Sequence, residues 1–123
     1  MKIAIIGAGN MGGAIARGIV QGSKVKAVDI TVANPSNGKL DALKAFNLEI
    51  NVTNNNQEAI ENADIVLLAV KPWLVKSVLE NISFDSKKQI LVTVAAGVAF
   101  TEYCKIIGES ATIFRLISFR YAK

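Results

Sequence analysis

The chain has 123 residues, of which 51% are apolar and 20% are charged, and its formal net charge is +4. This length suits one domain with a buried core, and the high apolar content excludes a disordered protein. Cys104 is the single cysteine and there is no histidine. An internal disulfide, a multi-ligand zinc site and a histidine-assisted nucleophile are therefore excluded.

The charge and apolar patterns also limit the partners that we expect. The 14 Lys and Arg residues are dispersed along the chain, whereas a nucleic-acid interface needs them clustered, so no nucleic-acid partner is predicted. The longest uncharged apolar stretches, Ile65–Val70 and Ile90–Phe100, are shorter than the roughly 20 residues of a spanning helix. With no evident signal peptide, we expect a cytoplasmic protein and no membrane partner.

The first half of the chain alternates strand-like and helix-like patterns. Short apolar runs predict strands at Lys2–Ile6, Ile30–Ala33 and Glu49–Val52. Two helices are predicted between them, the first ending near Gly22. Their inner faces, read from helical spacing, are Met11, Ala14, Ile15, Gly18 and Ile19 in the first helix, and Leu40, Leu43 and Phe46 in the second.

The second half continues the alternation. A short helix capped by Asn55 or Asn56 is followed by the most secure strand, Ile65–Val70, and later by strands at Ile90–Val94 and Thr112–Ile117. The helix starting at Pro72 has Trp73 predicted to pack at its start and an inner face of Leu74, Val75, Val78, Leu79 and Ile82. The last helix, Thr101–Ile107, is predicted to turn Phe100, Cys104 and Ile107 inward, which makes Cys104 a core residue.

Six apolar strands separated by helices predict an α/β fold with a doubly wound parallel sheet in the order 3-2-1-4-5-6, the Rossmann arrangement. We expect a single domain over residues 1–117, with 118–123 as a tail. Ligands of such sheets bind beyond the carboxyl ends of the strands. Candidate residues are therefore sought where each strand ends.

The first strand ends in a glycine-rich loop that opens a helix. It has the G-x-G-x-x-G spacing of dinucleotide-binding loops, in the residues Gly7, Ala8, Gly9, Asn10, Met11 and Gly12. In this motif the first glycine allows a tight turn, the second admits a pyrophosphate and the third permits close helix packing. The free N–H groups of the helix start would face the pyrophosphate. The motif predicts a nicotinamide dinucleotide as ligand.

The end of the second strand should separate NAD from NADP, because an acidic residue there binds the ribose 2′-OH. A strand at residues 25–28 would end in Asp29 and favour NAD. A strand at Ile30–Ala33 would end in Asn34, followed by Pro35 and Ser36, without a carboxylate. The turn signal at these residues favours the second register and therefore NADP, with NAD as the alternative.

The fourth and fifth strand ends should receive the nicotinamide half. The fourth carries Ala69, Val70, Lys71 and Pro72. Lys71 is either close to the ligand or a solvated lysine, and the two interpretations are equally supported. The fifth end, which begins with Ala95, has small side chains that would suit a flat ring or simply a tight turn. No catalytic residue and no metal site is predicted at these ends.

In combination, these motifs resemble the N-terminal domain of pyrroline-5-carboxylate reductases. The matching segments are residues 5–12, Ala33-Asn34, residues 68–72 and residues 94–97. The resemblance implies reduction of the imine Δ1-pyrroline-5-carboxylate to proline by NAD(P)H, in proline biosynthesis. It also implies that Asn34 and Ser36 contact the adenosine ribose or its 2′-phosphate and that Asn56 approaches the cofactor.

The chain departs from this family in two places. Pro35 stands where the family usually has an arginine, which removes an obvious contact for a 2′-phosphate. After Arg115 the family continues into a proline-asparagine-threonine loop and an all-helical dimerisation domain, whereas residues 118–123 match nothing in that pattern. Turnover by this chain alone is therefore not expected, and exposed apolar faces favour self-association.

Two other functions stay open from the sequence. The chain could belong to another imine or β-hydroxyacid reductase built on the same fold. It could also be a non-catalytic nucleotide-binding module, which would bind a dinucleotide without reducing a substrate.

Overall fold

A computed structural model describes residues 1–116 of the chain. Its strands are β1 Ile3–Ile6, β2 Ile30–Ala33, β3 Asn51–Thr53, β4 Ile65–Leu68, β5 Ile90–Thr93 and β6 Thr112–Arg115. Its helices are α1 Asn10–Gln21, α2 Asn37–Phe46, α3 Asn56–Ile60, α4 Val75–Glu80 and α5 Phe100–Ile107. Two 3-10 turns, Ala27–Asp29 and Pro72–Leu74, precede β2 and α4.

All strand pairs are parallel, and the sheet order is β3-β2-β1-β4-β5-β6. The predicted doubly wound fold is confirmed. The order changes direction between β1 and β4, where Ile3 lies opposite Ile65 and Ile6 opposite Leu68. The carboxyl ends of these two strands therefore border the crevice in which such folds bind ligands.

Helices cover both faces of the sheet and form two apolar clusters. One cluster joins α3, α4 and α5 to the sheet and includes Ile60, Leu79 and Tyr103. The other joins α1 and α2 to the opposite face and includes Ala16 and Leu43. Strands buried on both sides need apolar residues at consecutive positions, which is why they read as continuous apolar runs.

Several predicted strands are longer than the observed ones. β4 ends at Leu68, so Ala69 and Val70 belong to the loop that follows it. Val70 still packs against a core cluster, which explains why the apolar run continues past the end of the strand. β6 ends at Arg115, before the predicted end at Ile117, and Leu116 already lies outside the strand. The predicted tail lies outside the described residues.

The predicted inner face of α1 was only partly right, since Ile15 and Ile19 pack against a core cluster as expected. Gly12, Gly13 and Ala16 are buried against the sheet, whereas Met11 is 43% exposed and Ala14 is exposed. Small side chains bring this helix close to the sheet, and the larger apolar residues are displaced to its flanks. Helical spacing identified the apolar stripe of α1 but not which of its residues touch the sheet.

The predicted inner face of α5 was right for Ile107, which packs against a core cluster, and wrong for Phe100 and Cys104. Tyr103 is fully buried, Cys104 is half-buried and Phe100 is 45% exposed. Tyr103 occupies the core because its hydroxyl lies 2.7 Å from the Thr93 hydroxyl, which satisfies both polar groups. A tyrosine with a buried partner is as good a core residue as phenylalanine.

The aromatic and large residues at two other helices are less buried than predicted. Trp73 is 76% exposed instead of packed, and Leu74 and Phe46 are also exposed. Val75 and Leu79 form the buried face of α4, as predicted. For Trp73 and Leu74 the difference arises because Pro72–Leu74 forms a separate 3-10 turn that breaks the helical register assumed from the sequence.

Candidate dinucleotide-binding site

The glycine loop connects β1 to α1 and is held between the ends of β2 and β4. Gly7 has φ +104, in the region that favours glycine, and its N–H donates to the Ala33 carbonyl at 2.8 Å. A Cβ at Gly7 would lie 2.4 Å from the Ala69 carbonyl oxygen. No other residue fits here without moving the backbone.

The remaining two glycines of the motif have opposite surroundings. A Cβ at Gly12 would lie 1.9 Å from the Gly7 carbonyl oxygen, whereas a Cβ at Gly9 would meet nothing within 4 Å. Gly12 is therefore required by packing, and Gly9 borders open space. Such a distribution is what a loop needs when a ligand comes close to its middle residue.

The amino end of α1 adds an electrostatic feature to this open space. Gly9 is the N-cap residue, no side chain caps the helix, and its first turn holds no acidic residue. The N–H groups of Asn10 and Met11 belong to the first turn, whose N–H groups have no helical acceptor. They carry the partial positive charge of a helix start and can receive an anion such as a pyrophosphate.

The second strand ends in Asn34, as the favoured register predicted. The Asn34 Oδ1 accepts a hydrogen bond from the Ala8 N–H at 3.0 Å. Its Nδ2 donates to the carbonyl and the hydroxyl oxygens of Ser36, each at 3.2 Å. One amide thus ties the glycine loop to the N-cap residue of α2. The side chain orders two adjacent loops at the carboxyl edge.

Asp29, the alternative to Asn34, lies at the opposite edge of the sheet, and so does Asp64. Asp29 belongs to the turn before β2 and lines a small crevice of about 110 Å³ together with Lys2 and Asn51. Asp64 accepts a hydrogen bond from the Lys2 N–H at 2.8 Å, at the amino end of β4. Neither carboxylate faces the glycine loop, because the amino ends of parallel strands share one edge.

The third strand is followed by three asparagines, of which Asn55 and Asn56 had predicted roles. Asn55 caps α3, its Oδ1 accepting from the Glu58 N–H at 2.9 Å, and Asn56 is the first helical residue. Asn54, which had no predicted role, donates to the Asn34 carbonyl at 3.0 Å and to the Asn37 Oδ1 at 2.8 Å. Asn54 therefore links the ends of β2 and β3.

The fourth strand end packs directly on the glycine loop. The Ala69 N–H donates to the Ile6 carbonyl at 2.8 Å, and a Cβ at Gly12 would lie 3.2 Å from the Ala69 Cβ. Val70 is half-buried and Lys71 is exposed. Pro72 starts the 3-10 turn. Of the four residues predicted here, Ala69 is in contact with the glycine loop and Lys71 is on the surface beside it.

A cleft of about 670 Å³ opens beside the first turn of α1. It lies between that helix and the ends of β5 and β6. Two of the predicted site residues, Ala95 and Met11, therefore line the same cleft. The cleft is mainly apolar. Its lining consists of Met11, Ile15, Val94, Ala95, Ala96, Gly97, Arg115 and Leu116.

Arg115 was not singled out from the sequence. Its guanidinium donates to the Val98 carbonyl and lies over the Phe100 ring, with 4.6 Å between Cζ and the ring centroid. A charged residue within the predicted strand Thr112–Ile117, which is otherwise mostly apolar, was the available signal.

Among residues 1–116, no three His, Cys, Asp or Glu side chains are grouped as a metal site would require. In the same range no helix has the length and apolar character needed to cross a bilayer.

Comparison with known proteins gives a consistent result. The family model described as NADP oxidoreductase coenzyme F420-dependent matches residues 2–97. The pyrroline-5-carboxylate reductase of Escherichia coli K12 is 36% identical over 115 residues, which are 93% of this chain and 42% of that protein. Pyrroline-5-carboxylate reductase 3 of Danio rerio is 32% identical over 118 residues, 95% of this chain and 40% of that protein.

Solved structures agree with these relatives. A pyrroline-5-carboxylate reductase from Coxiella burnetii has a TM-score of 0.83 and 33% identity, over 93% of this chain and 42% of that one. The Plasmodium falciparum pyrroline carboxylate reductase with NADP bound has a TM-score of 0.77 and 27% identity, over 92% of this chain and 40% of that one. The chain thus spans about two fifths of the length of these proteins.

Proposed function

We propose, because this chain belongs to the family described as NADP oxidoreductase coenzyme F420-dependent, that it binds a nicotinamide dinucleotide across the carboxyl edge of its sheet. The observation that carries the proposal is the contrast among the loop glycines. Gly7 and Gly12 are enclosed by backbone, whereas Gly9 borders open space beside an uncapped helix start. A loop that merely joined a strand to a helix would not need an open middle glycine.

Each part of the dinucleotide has candidate residues along this edge. The pyrophosphate is assigned to the glycine loop, from Gly7 to Gly12, because Gly9 borders open space at the uncapped start of α1. Asn34 and Ser36 are assigned to the adenosine ribose or its 2′-phosphate, and Asn56 to the flank of the site. Ala69, Val70, Lys71, Pro72 and Ala95 are assigned to the nicotinamide half.

NADP is proposed as the preferred dinucleotide. The end of β2 presents an amide and a hydroxyl, on Asn34 and Ser36, whereas Asp29 lies at the other edge. A carboxylate at the end of β2 would favour the 2′-OH of NAD and repel a 2′-phosphate. Its absence from this position supports NADP, and Lys39 in the first turn of α2 adds a positive charge nearby.

The proposed substrate is Δ1-pyrroline-5-carboxylate, taken from the names of the relatives. The reduced dinucleotide, when bound, supplies a hydride for the C=N carbon of such an imine. Met11 and Ile15 would shield the reacting groups from water, because they form an apolar wall of the cleft. No residue of this chain is assigned as a proton donor.

We also propose that copies of the chain associate. Ile90, Phe114 and Leu116 are exposed at the β5–β6 end of the sheet. Phe114 lies beside Val92 in the strand register, on the face opposite to that covered by α4 and α5. A second copy would bury this apolar surface.

The test is calorimetric titration of the 123-residue chain with NADPH and, separately, with NADH. We expect saturable binding with NADPH the tighter ligand. Gly9→Ala should weaken NADPH at least about tenfold while leaving the unfolding midpoint unchanged, because its Cβ enters the open space. Gly18→Ala is the matched control, since Gly18 also has free space around it but lies on an exposed part of α1.

The results separate the alternatives. Binding of neither dinucleotide to the folded chain would reject the proposal. Binding without NADPH oxidation, followed at 340 nm with Δ1-pyrroline-5-carboxylate, would favour a non-catalytic module or a need for further chain. Tighter binding of NADH would reject the assignment of NADP.

A further inference from the structure

The loop between β5 and α5, residues 94–99, forms one wall of the apolar cleft. The Val94 N–H still follows the sheet, donating to the Leu68 carbonyl at 3.1 Å. Beyond it the loop has no regular hydrogen-bonding pattern, and Gly97 has φ +77. The shape of this wall therefore depends on the side chains that hold it.

The buried hydroxyl groups of Thr93 and Tyr103 hold the loop through hydrogen bonds. The Ala95 N–H donates to the Thr93 Oγ1 at 3.2 Å, and the Thr93 Oγ1 lies 2.7 Å from the Tyr103 hydroxyl. Thr93 and Tyr103 are both fully buried. A polar chain in such surroundings is strongly directional, because no water can replace a missing partner.

An arginine holds the other end of the loop. The Arg115 guanidinium donates to the Val98 carbonyl and lies over the Phe100 ring, so it contacts the loop and the first residue of α5. Arg115 also lines the cleft with Leu116. The Leu116 N–H in turn donates to the Thr93 carbonyl at 2.9 Å, which joins the two supports through the sheet.

We propose that Thr93, Tyr103 and Arg115 are positioning residues that hold the 94–99 loop in the shape that receives the nicotinamide half of the dinucleotide. The inference rests on the proposed function. Holding a loop in its ligand-bound shape improves affinity because less conformational freedom is lost on binding. Thr93 and Tyr103 act through the loop backbone from fully buried positions, and Arg115 holds the loop from the lining of the cleft.

This role predicts a selective effect on the two halves of the ligand. NADPH would contact both the glycine loop and the 94–99 loop. Adenosine 2′,5′-bisphosphate lacks the nicotinamide half, so its contacts would be confined to the glycine loop and the end of β2. Loosening the 94–99 loop should therefore weaken NADPH and spare the bisphosphate.

The experiment is calorimetric titration of the full chain and its variants with these two ligands. In Tyr103→Phe and Arg115→Met we expect the Kd for NADPH to rise about fivefold to tenfold, the effect of one lost hydrogen bond. The Kd for the bisphosphate should stay within about twofold. Thr93→Val should have the larger effect on NADPH, since it removes the partner of both the Ala95 N–H and the tyrosine hydroxyl.

Matched controls place the same chemical changes elsewhere. Arg17 also lies over an aromatic ring, that of Phe46 at 5.9 Å, but outside the 94–99 loop. Thr31 is a strand threonine near the amino edge. Arg17→Met and Thr31→Val should leave both Kd values unchanged. Arg115→Lys should restore part of the NADPH affinity, because an ammonium can still donate to the Val98 carbonyl.

Each outcome bears on the inference. Equal weakening of both ligands, or no change in either, would overturn it. Wild-type binding of the bisphosphate at the same affinity as NADPH would also overturn it while leaving the adenosine half of the proposed site intact. Binding of neither ligand by the folded wild type would reject the proposed function itself. If Thr93→Val unfolds, Arg115→Met still decides, because Arg115 is only half-buried.

Discussion

Asn34 shows how one side chain can order two loops of a candidate site. Its oxygen accepts from the Ala8 N–H and its nitrogen donates to Ser36, so both ends of the amide are used. An aspartate would keep the first contact but could no longer donate to the Ser36 carbonyl. It would also place a negative charge where the proposal puts the 2′-phosphate.

Asn34→Asp is therefore expected to change the preference between the two dinucleotides. The Kd for NADPH should rise at least about tenfold through charge repulsion, while the Kd for NADH changes by less than about threefold. Calorimetric titration with each dinucleotide measures the ratio.

Asn47→Asp is the control for the added charge. The Asn47 Oδ1 also accepts a backbone hydrogen bond, from Glu49 at 2.9 Å, but it follows the carboxyl end of α2, away from the glycine loop. An equal loss of affinity for NADPH and NADH in Asn34→Asp would contradict the assignment of the 2′-phosphate to this position.

At the scale of the element, α1 contains glycines with opposite requirements. Gly12 is pressed against the Gly7 carbonyl, whereas Gly18 has free space around it. Glycine in a helix costs roughly 0.5–1 kcal/mol relative to alanine where nothing requires it. At Gly12 the close contact with the loop excludes any side chain, whereas at Gly18 no neighbouring atom excludes one.

The two alanine variants should thus shift stability in opposite directions. Gly18→Ala should raise the free energy of unfolding by about 0.5–1 kcal/mol. Gly12→Ala should lower it by several times that amount or prevent folding, because its Cβ would overlap the Gly7 carbonyl oxygen. Urea unfolding followed by circular dichroism gives both values, and a tolerated Gly12→Ala would show that the loop can move away from the helix.

The elements at the amino edge are joined by a buried glutamine, Gln89, that precedes β5. Its Nε2 donates to the Ile60 carbonyl at 2.7 Å and to the Ala63 carbonyl at 3.1 Å. Its Oε1 accepts from the Asp85 N–H at 2.9 Å. One side chain thus connects the turn after α3 with the turn before β5.

Gln89→Met should lower the free energy of unfolding by roughly 2–4 kcal/mol, because the similar shape is kept while backbone groups lose their partner in a buried setting. Urea unfolding measures the change. Gln21→Met, at the exposed end of α1, should leave the midpoint within experimental error. A small effect of Gln89→Met would mean that water reaches these groups.

At the scale of the whole molecule, the two faces of the sheet differ at β5 and β6. On one face Ile113 packs against the cluster formed with α4 and α5. On the other face the Phe114 side chain is 55% exposed and the Ile90 side chain is 36% exposed. The described part of the chain thus presents an apolar strip at this end of the sheet.

Self-association is the expected consequence of this strip. Phe114→Ser should lower the associated fraction in sedimentation velocity over a concentration series, because it removes the largest exposed side chain of β6. Leu48→Ser is the control, since Leu48 is also exposed but follows α2, away from the strip. Equal reduction by both variants would indicate nonspecific association instead of a defined surface.

The order of the elements and the edge that carries the candidate site could be read from the sequence. Continuous apolar runs identify strands buried on both faces, and the right-handed connection of such strands restricts the topology. The turn signal at Asn34 and Pro35 was enough to place β2 at Ile30–Ala33 and to remove Asp29 from the carboxyl edge. These features are local in the chain, so local pattern determines them.

Packing decided what the local pattern could not. Which face of α1 or α5 touches the sheet depends on how closely the helix approaches and on whether a polar group finds a partner, as Tyr103 does in Thr93. The hydrogen bonds from Arg115 to Val98, from Asn54 to Asn34 and from Gln89 to Ile60 join residues 17, 20 and 29 positions apart. A single sequence does not show such pairs, because only the folded chain brings them within hydrogen-bonding distance.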